Sequence, residues 1–157
     1  MQPYLENTFL QPAGHHKGTD IYSLEGGNFS NKYFIISNEG TRHLLAAPEV
    51  IGYDSYLAMC GATGDMLSWL KGQKSIGDEA DIMTILRGGL NYPLEECCYR
   101  NGIRINNMDF VSCERVIRNN QITGLDIRYT KLRAPQDITL MIGDIIASGE
   151  TLARCIR

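Results

Sequence analysis

The second half of the chain alternates short apolar runs with polar turns, a pattern that predicts strands around one helix. Strands are predicted at residues 82–86, 108–113 and 138–142. The last of these is a continuous run of β-branched and aliphatic residues, which suits a strand buried on both faces of a sheet. Residues 125–130 alternate apolar and polar positions, which predicts a strand that forms a hairpin with 108–113. A helix is predicted from about residue 92 to 101.

The first eighty residues give weaker patterns. Residues 1–31 are predicted to be irregular, and a short strand is predicted at 32–37. Residues 54–71 have a helical pattern interrupted by Gly61 and Gly64, which predicts two short helices. The adjacent His15 and His16 are expected to lie in a polar loop without a metal ion.

Composition narrows the class of protein. The chain has 157 residues, enough for one compact domain with a real core, and a net charge of −3 that argues against a nucleic-acid surface. No apolar run approaches the roughly 20 residues of a membrane helix, and no signal peptide opens the chain, so we expect a cytoplasmic protein without a membrane partner. Five cysteines without zinc or C-x-x-C spacing are expected to be reduced thiols.

Residues 137–152 carry the most informative chemistry, because an apolar strand there leads through an acidic residue and a small-residue turn into a helix. Gly143 and Asp144 would lie at the carboxyl end of the strand, where open α/β sheets bind ligands. The residues small enough to let an anion approach the main chain are Ala147, Ser148 and Gly149. Backbone N–H groups and the hydroxyls of Ser148 and Thr151 would favour a phosphate. The alternative is an ordinary turn in which Ser148 or Thr151 only caps the helix.

A second strand-turn-helix segment lies upstream, at residues 81–96. Gly88 and Gly89 permit backbone conformations closed to other residues. Arg87 offers a planar fork of donors that matches phosphate oxygens. The segment therefore predicts a second anion contact, with a solvated arginine on a Gly-Gly turn as the alternative.

The downstream segment resembles the binding motif of type I phosphoribosyltransferases. That motif is an apolar strand, an acidic pair, two apolar residues and a loop of small, hydroxyl, glycine, variable and hydroxyl residues, with Glu150 at the variable position. The resemblance implies that the loop at 147–151 holds the 5′-phosphate of phosphoribosyl pyrophosphate and that Asp144 holds the ribose hydroxyls. Gly143 departs from the motif, since it stands where the first acidic residue is expected.

The upstream segment is similar to the uracil phosphoribosyltransferases in particular. Their first core strand ends in Leu-Arg-Ala-Gly, and residues 86–89 here are Leu-Arg-Gly-Gly, with Gly88 in place of alanine. The resemblance implies that Arg87 faces the pyrophosphate of the substrate.

Cationic residues concentrate between the two segments, in the predicted hairpin. They are Arg115, Arg118, Arg128, Lys131 and Arg133. By resemblance this hairpin is the loop that family members close over pyrophosphate, and Tyr-Thr-Lys-Leu at 129–132 is similar to the Tyr-Tyr-x-Lys-Leu that follows it. On that register Arg115 matches the loop arginine, with Arg118 as a competitor because loop length varies. For Arg128 and Arg133 we favour a solvated surface position.

The resemblance implies transfer of ribose 5-phosphate from phosphoribosyl pyrophosphate to a nitrogenous base, with uracil favoured. The departing pyrophosphate gains charge, which Arg87, Arg115 and Lys131 would stabilise, the last two as catalytic residues. Magnesium would arrive on pyrophosphate oxygens, so no metal ligand is expected in the protein. A phosphoribosyltransferase-like domain that senses a nucleotide or phosphoribosyl pyrophosphate without catalysis is the alternative. Gly143 favours the sensor, and the retained cations favour the enzyme, which we prefer.

The family resemblance also implies the fold and the domain organisation. It implies a three-layer α/β/α domain with a mainly parallel sheet, in which the hairpin strand is antiparallel to the rest. Residues 81–157 would form this core, and residues 1–80 would pack beside it. Family members continue through further strands, so we expect a C-terminally truncated product or excised domain, with completion by another chain as the second possibility. The family also suggests a homodimer.

Overall fold

The computed structural model describes residues 7–27, 31–86, 91–119, 121–133, 137–143 and 150–155. The chain divides into two compact units, Met1–Trp69 and Leu70–Arg157. Within the described residues, the first unit contains a three-stranded antiparallel sheet and the second a four-stranded mixed sheet. The protein is therefore mixed α/β, with an antiparallel sheet that the sequence pattern does not predict.

The N-terminal unit starts with a hairpin of β1 (Thr8–His16) and β2 (Thr19–Gly26), to which β3 (Phe34–Ser37) adds on the β2 side. The prediction that residues 1–31 are irregular is wrong for the described part of that range. The predicted strand at 32–37 is confirmed, two residues shorter at its start.

Turn geometry explains why this hairpin forms without a clear apolar pattern. Lys17 and Gly18 both have positive φ, 50° and 80°, as a two-residue hairpin turn requires. Pro12 interrupts β1 where the pairing register shifts between Pro12 and Gly14, and β1 is an edge strand of the described sheet, which tolerates proline. His15 and His16 therefore lie in a strand rather than in a loop.

Two helices follow in the chain, α1 (Glu39–Ala46) and α2 (Gly52–Gly72). Asn38 caps α1, since its side chain accepts the backbone N–H of Thr41 at 2.8 Å and Thr41 Oγ1 accepts the N–H of Asn38 at 2.9 Å. The prediction of two short helices at 54–71 is wrong, because α2 continues through both glycines. Each glycine costs about 1 kcal/mol of helix propensity, which a 21-residue helix with buried side chains absorbs.

The described part of the C-terminal unit contains four strands and two helices. Its elements are β4 (Glu79–Ile85), α3 (Asn91–Arg100), β5 (Arg104–Arg118), β6 (Gln121–Lys131), β7 (Thr139–Ile142) and α4 (Glu150–Cys155). The four predicted strands and the predicted helix at 92–101 are confirmed. The hairpin strands β5 and β6 are longer than the apolar pattern predicts, because their outer halves carry charged residues.

Parallel pairing organises this unit. The strand order is β6-β5-β4-β7, with β4 parallel to both β5 and β7 and β6 antiparallel to β5. The predicted antiparallel hairpin strand is thus confirmed. The central strand β4 supplies much of the core, since Ala80, Ile82, Met83 and Ile85 are all almost fully buried.

The strand β7 differs from its prediction. Residues 138–142 were expected to be buried on both faces, and this is wrong, because Leu140 is 50% exposed while Met141 is buried. The physical reason is its place at the edge of the described sheet, next to β4.

Helix α3 contacts one face of the sheet. Cys98 of α3 donates its thiol to Met141 Sδ at 3.6 Å. Met141 pairs with Ile82 of the central strand, so the two side chains share a face. We name this side of the sheet the Ile82 face.

Helix α4 contacts the other face. Cys155 Sγ lies 4.0 Å from Cys113 Sγ of β5. Cys113 shares a face with Val111, two residues earlier, and Val111 pairs with Ile85. Because Ile85 lies three residues after Ile82 on β4, its side chain points to the opposite side. The two helices therefore contact opposite faces, and we name the second one the Ile85 face.

A bulge in the hairpin changes the face of every residue beyond it. Ser112 pairs with Tyr129, but Cys113 pairs with Ile127, so β6 has one extra residue, Arg128, at this point. The predicted alternation of residues 125–130 therefore breaks, and Tyr129 lies on the face opposite to Ile127.

A buried carboxylate in β4 gives a test of the packing. Asp81 is 7% exposed, and its Oδ1 has no hydrogen-bond partner among the described residues. We expect Asp81→Asn to raise the free energy of unfolding by roughly 1–2 kcal/mol, because a neutral amide costs less to bury than a carboxylate with one unpartnered oxygen. Urea denaturation of both proteins measures the difference.

The matched control is Asp109→Asn on the neighbouring strand. Asp109 Oδ1 accepts hydrogen bonds from Asn107 Nδ2 at 2.6 Å and from the backbone N–H of Arg133 at 3.1 Å. Loss of its charge should lower the free energy of unfolding by about 1 kcal/mol. Equal destabilisation by both substitutions would contradict the absence of a hydrogen-bond partner for Asp81 Oδ1.

Candidate functional site

The carboxyl ends of β4 and β7 lie side by side. Met83 pairs with Ile142 in the parallel register, and the two strands end at Ile85 and Ile142. Leu86, the last described residue after β4, is held to β5 by a hydrogen bond from its N–H to Val111 O at 2.8 Å. By strand spacing, the backbones of Leu86 and Gly143 lie about 8 Å apart. The chain thus leaves the sheet from two neighbouring points.

Most residues of the sequence-predicted site come shortly after Leu86 or Gly143 in the chain. Arg87 and Gly88 come directly after β4, and Asp144, Ala147, Ser148 and Gly149 come after β7; all six lie outside the described residues. Of the predicted phosphate loop, Glu150 and Thr151 are described, as the first two residues of α4. Thr151 is partly buried.

Arg115 lies on the hairpin face that α4 contacts. It follows Cys113 by two residues on β5 and pairs with Leu125 of β6. Since alternate residues of a strand share a face, its side chain leaves β5 on the side of the Cys113 to Cys155 contact. Its side chain is exposed, and no described residue forms an ion pair with it. Arg115 is thus available to an anion on the α4 side.

Lys131 lies on the other face of the same hairpin. It pairs with Phe110, and its Nζ lies 5.7 Å from the centroid of the Phe110 ring, a cation–π contact. Phe110 precedes Arg115 by five residues on one strand, an odd separation that places the two side chains on opposite faces. The hairpin therefore does not bring the two predicted catalytic cations to one side.

The remaining cations of the hairpin have different surroundings. Arg128 is balanced by two carboxylates, Glu114 at 3.5 Å and Asp126 at 3.2 Å. The side chains of Arg118 and Arg133 are exposed. The two exposed ion pairs of Arg128 contribute little stability, but they leave its charge already balanced by carboxylates. Arg115 is therefore a better anion ligand than Arg128.

Shifted pKa values among the described residues lie away from this edge. A hydrogen bond from Asn106 Nδ2 at 2.8 Å, with the charge of Arg104 as a second cause, holds the pKa of Glu79 below its usual range. Glu79 begins β4, at the opposite end of the sheet. Burial raises the pKa of the Cys98 thiol, which is part of the core. Neither group has the position of a general acid or base at the carboxyl edge.

The N-terminal unit holds a polar cluster of its own. Thr19 Oγ1 donates to Asp65 Oδ2 at 2.5 Å, and Asn38 Nδ2 donates to Thr19 Oγ1 at 3.1 Å. Beside it, His16 Nε2 lies 2.9 Å from Ser68 Oγ. Thr19 is almost fully buried, so the cluster joins β2 to α1 and α2 by satisfying groups that folding removes from water. We interpret it as structural.

A cavity of about 520 Å³ lies against the N-terminal sheet, lined by residues 23–27 and 31–34 together with Ala13. Its charged lining residues are Glu25 and Lys32. None of the sequence-predicted site residues lines it. The sequence pattern does not predict this cavity, because it predicts the strand at 32–37 but not the β1–β2 hairpin that supplies most of the rest of the lining.

Among the described residues, no group of three or more histidine, cysteine, aspartate or glutamate side chains is arranged to hold a metal ion. In the same part of the chain, every helix is too short or too polar to cross a membrane.

Comparison with known proteins adds no assignment. No family model, curated protein or solved structure matches the chain.

Proposed function

We propose that this chain transfers ribose 5-phosphate from phosphoribosyl pyrophosphate to a nitrogenous base, with uracil favoured, and releases pyrophosphate. One observation carries the proposal. The two segments that resemble phosphate-binding motifs of type I phosphoribosyltransferases follow the carboxyl ends of two neighbouring parallel strands, β4 and β7. Ligands of open α/β sheets bind at that edge, so both segments can contact one substrate.

The fold belongs to the same proposal. Helices α3 and α4 contact opposite faces of the four-stranded sheet, an arrangement compatible with the three-layer core of type I phosphoribosyltransferases. The antiparallel β5–β6 hairpin would be the loop that covers pyrophosphate. We assign the activity to nucleotide salvage in the cytoplasm.

Each residue of the proposed site has a chemical task. The loop at 147–151 would bind the 5′-phosphate through main-chain N–H groups and the hydroxyls of Ser148 and Thr151, which fixes the position of the ribose. Asp144 would accept hydrogen bonds from the ribose hydroxyls. Arg87 and Arg115 would stabilise the charge that develops on the departing pyrophosphate.

Magnesium belongs to the proposal as a companion of the substrate. Bound to pyrophosphate oxygens, it would neutralise part of the charge of the leaving group, and the protein residues would supply the rest. We propose a smaller role in pyrophosphate binding for Lys131 than for Arg115, because the Lys131 side chain leaves the hairpin on the face opposite to α4.

The substrate-binding test is a calorimetric titration of the chain with phosphoribosyl pyrophosphate in the presence of magnesium. We expect saturable micromolar binding. Arg115→Ala should weaken it about tenfold or more, because a charge-assisted hydrogen bond to an anion contributes roughly 1.5–3 kcal/mol. Lys131→Ala should have a smaller effect.

The matched control is Arg128→Ala, since the charge of Arg128 is already balanced by Glu114 and Asp126. We expect its affinity to equal that of the unsubstituted chain. Absence of binding in a sample with a folded circular dichroism spectrum would contradict the proposed site. Equal losses in the Arg115 and Arg128 variants would contradict the role of Arg115.

A second candidate function is a sensor that binds phosphoribosyl pyrophosphate or a nucleotide without catalysis. Gly143 favours it, because the position carries an acidic residue in the resembling family. Pyrophosphate release with a panel of bases that begins with uracil separates the two functions. Binding without release would support the sensor and contradict the transferase.

The substitution Gly143→Asp tests the missing ribose contact. If the ribose is held more weakly because one acid is absent, the added carboxylate should tighten phosphoribosyl pyrophosphate binding several-fold in the same titration. Gly143→Asn controls for side-chain size, because it adds similar bulk with no charge. Unchanged or weaker affinity of the aspartate variant would overturn this explanation.

A further inference from the structure

Two cysteines of the C-terminal unit lie close together although they are 42 residues apart in the sequence. Cys113 is in β5 and Cys155 is in the last turn of α4, and their sulfur atoms are 4.0 Å apart. Both side chains are partly exposed. The sulfur atoms of a disulfide lie about 2.05 Å apart, so closure needs an approach of about 2 Å.

The other three cysteines have a different environment. Cys60, Cys97 and Cys98 are buried, and Cys98 is completely inaccessible. Burial also raises the pKa of the Cys98 thiol, so less of the reactive thiolate is present. A reagent in solution would therefore meet Cys113 and Cys155 first.

We propose that Cys113 and Cys155 form a reversible intramolecular disulfide in exchange with a small-molecule disulfide such as oxidised glutathione. One thiolate attacks the reagent, forms a mixed disulfide and releases one glutathione thiol. The second cysteine, as its thiolate, attacks the mixed disulfide and releases the other glutathione. Two protein thiols are oxidised, and one glutathione disulfide is reduced to two thiols.

The bond would tie the hairpin to α4. Arg115 follows Cys113 by two residues, about 7 Å along the same face of β5. Oxidation would therefore restrain the strand that carries this arginine relative to the helix that begins at Glu150. The geometry of the thiol pair stands independently of the proposed phosphoribosyl pyrophosphate site.

Peptide mapping tests the disulfide. The folded chain is incubated with oxidised glutathione at low protein concentration, alkylated and digested with trypsin without reduction. We expect a peptide in which residues 105–115 are joined to residues 155–157, and we expect dithiothreitol to remove it. The midpoint of thermal unfolding should rise by about 5 °C or more on oxidation and return on reduction.

Single substitutions supply the controls. Cys113→Ser and Cys155→Ser should each abolish the linked peptide and leave one glutathione adduct on the remaining cysteine. Cys60→Ala removes a thiol of the other unit and should leave the linked peptide intact. The linked peptide is measured first in the unsubstituted chain. A folding defect in one of the variants therefore does not affect the main test.

Three results would overturn the proposal. The first is a linked peptide that contains Cys60, Cys97 or Cys98 in place of the expected pair. The second is glutathione on both Cys113 and Cys155 without a bond between them. The third is a disulfide-linked dimer whose yield rises with protein concentration, since an intramolecular bond does not depend on it.

Discussion

The parallel pairing of β4 with a neighbour on each side is the constraint on which the C-terminal unit depends. Parallel strands cannot be joined by a tight turn, so the chain must leave the sheet and return between them. Helix α3 makes this connection from β4 to β5 and contacts the Ile82 face. The strand β7 then pairs on the other side of β4. This topology directs the carboxyl ends of β4, β5 and β7 to one edge.

The hairpin has two halves with different support. The inner half of β5, up to Val111, pairs with β4 as well as β6, while residues 112–118 pair, among the described strands, with β6 alone. Two-stranded ribbons are marginally stable in water unless another element packs on them. Helix α4 supplies such a contact at Cys113. The position of the outer half, and of Arg115 within it, is therefore linked to α4.

The sequence predicted the C-terminal unit much better than the N-terminal one, for physical reasons. The core strand β4 contains the largely apolar segment Ile-Met-Thr-Ile at residues 82–85, and such segments are visible in a sequence. The β1–β2 hairpin depends instead on the positive φ of Lys17 and Gly18. Lysine rarely adopts a positive φ, so the sequence does not indicate this turn. The low helix propensity of Gly61 and Gly64 opposes the continuity of α2, and its buried side-chain contacts favour it. The sequence pattern does not show which effect is larger. For the candidate site, the sequence supplied the motifs and the structure supplied the adjacency of the strands they follow.

One inserted residue has the largest consequence for the chemistry of the hairpin. Leu125, the partner of Arg115, and Lys131 are six positions apart on β6, so plain alternation would place Lys131 on the face of Arg115. The bulge at Arg128 adds one residue to β6 and reverses the parity, which places Lys131 beside Phe110 on the other face. A register argument from sequence cannot detect this reversal, because the bulge leaves the spacing of residue types unchanged. An anion that contacts α4 and the hairpin together would therefore meet Arg115, while Lys131 would face the opposite side.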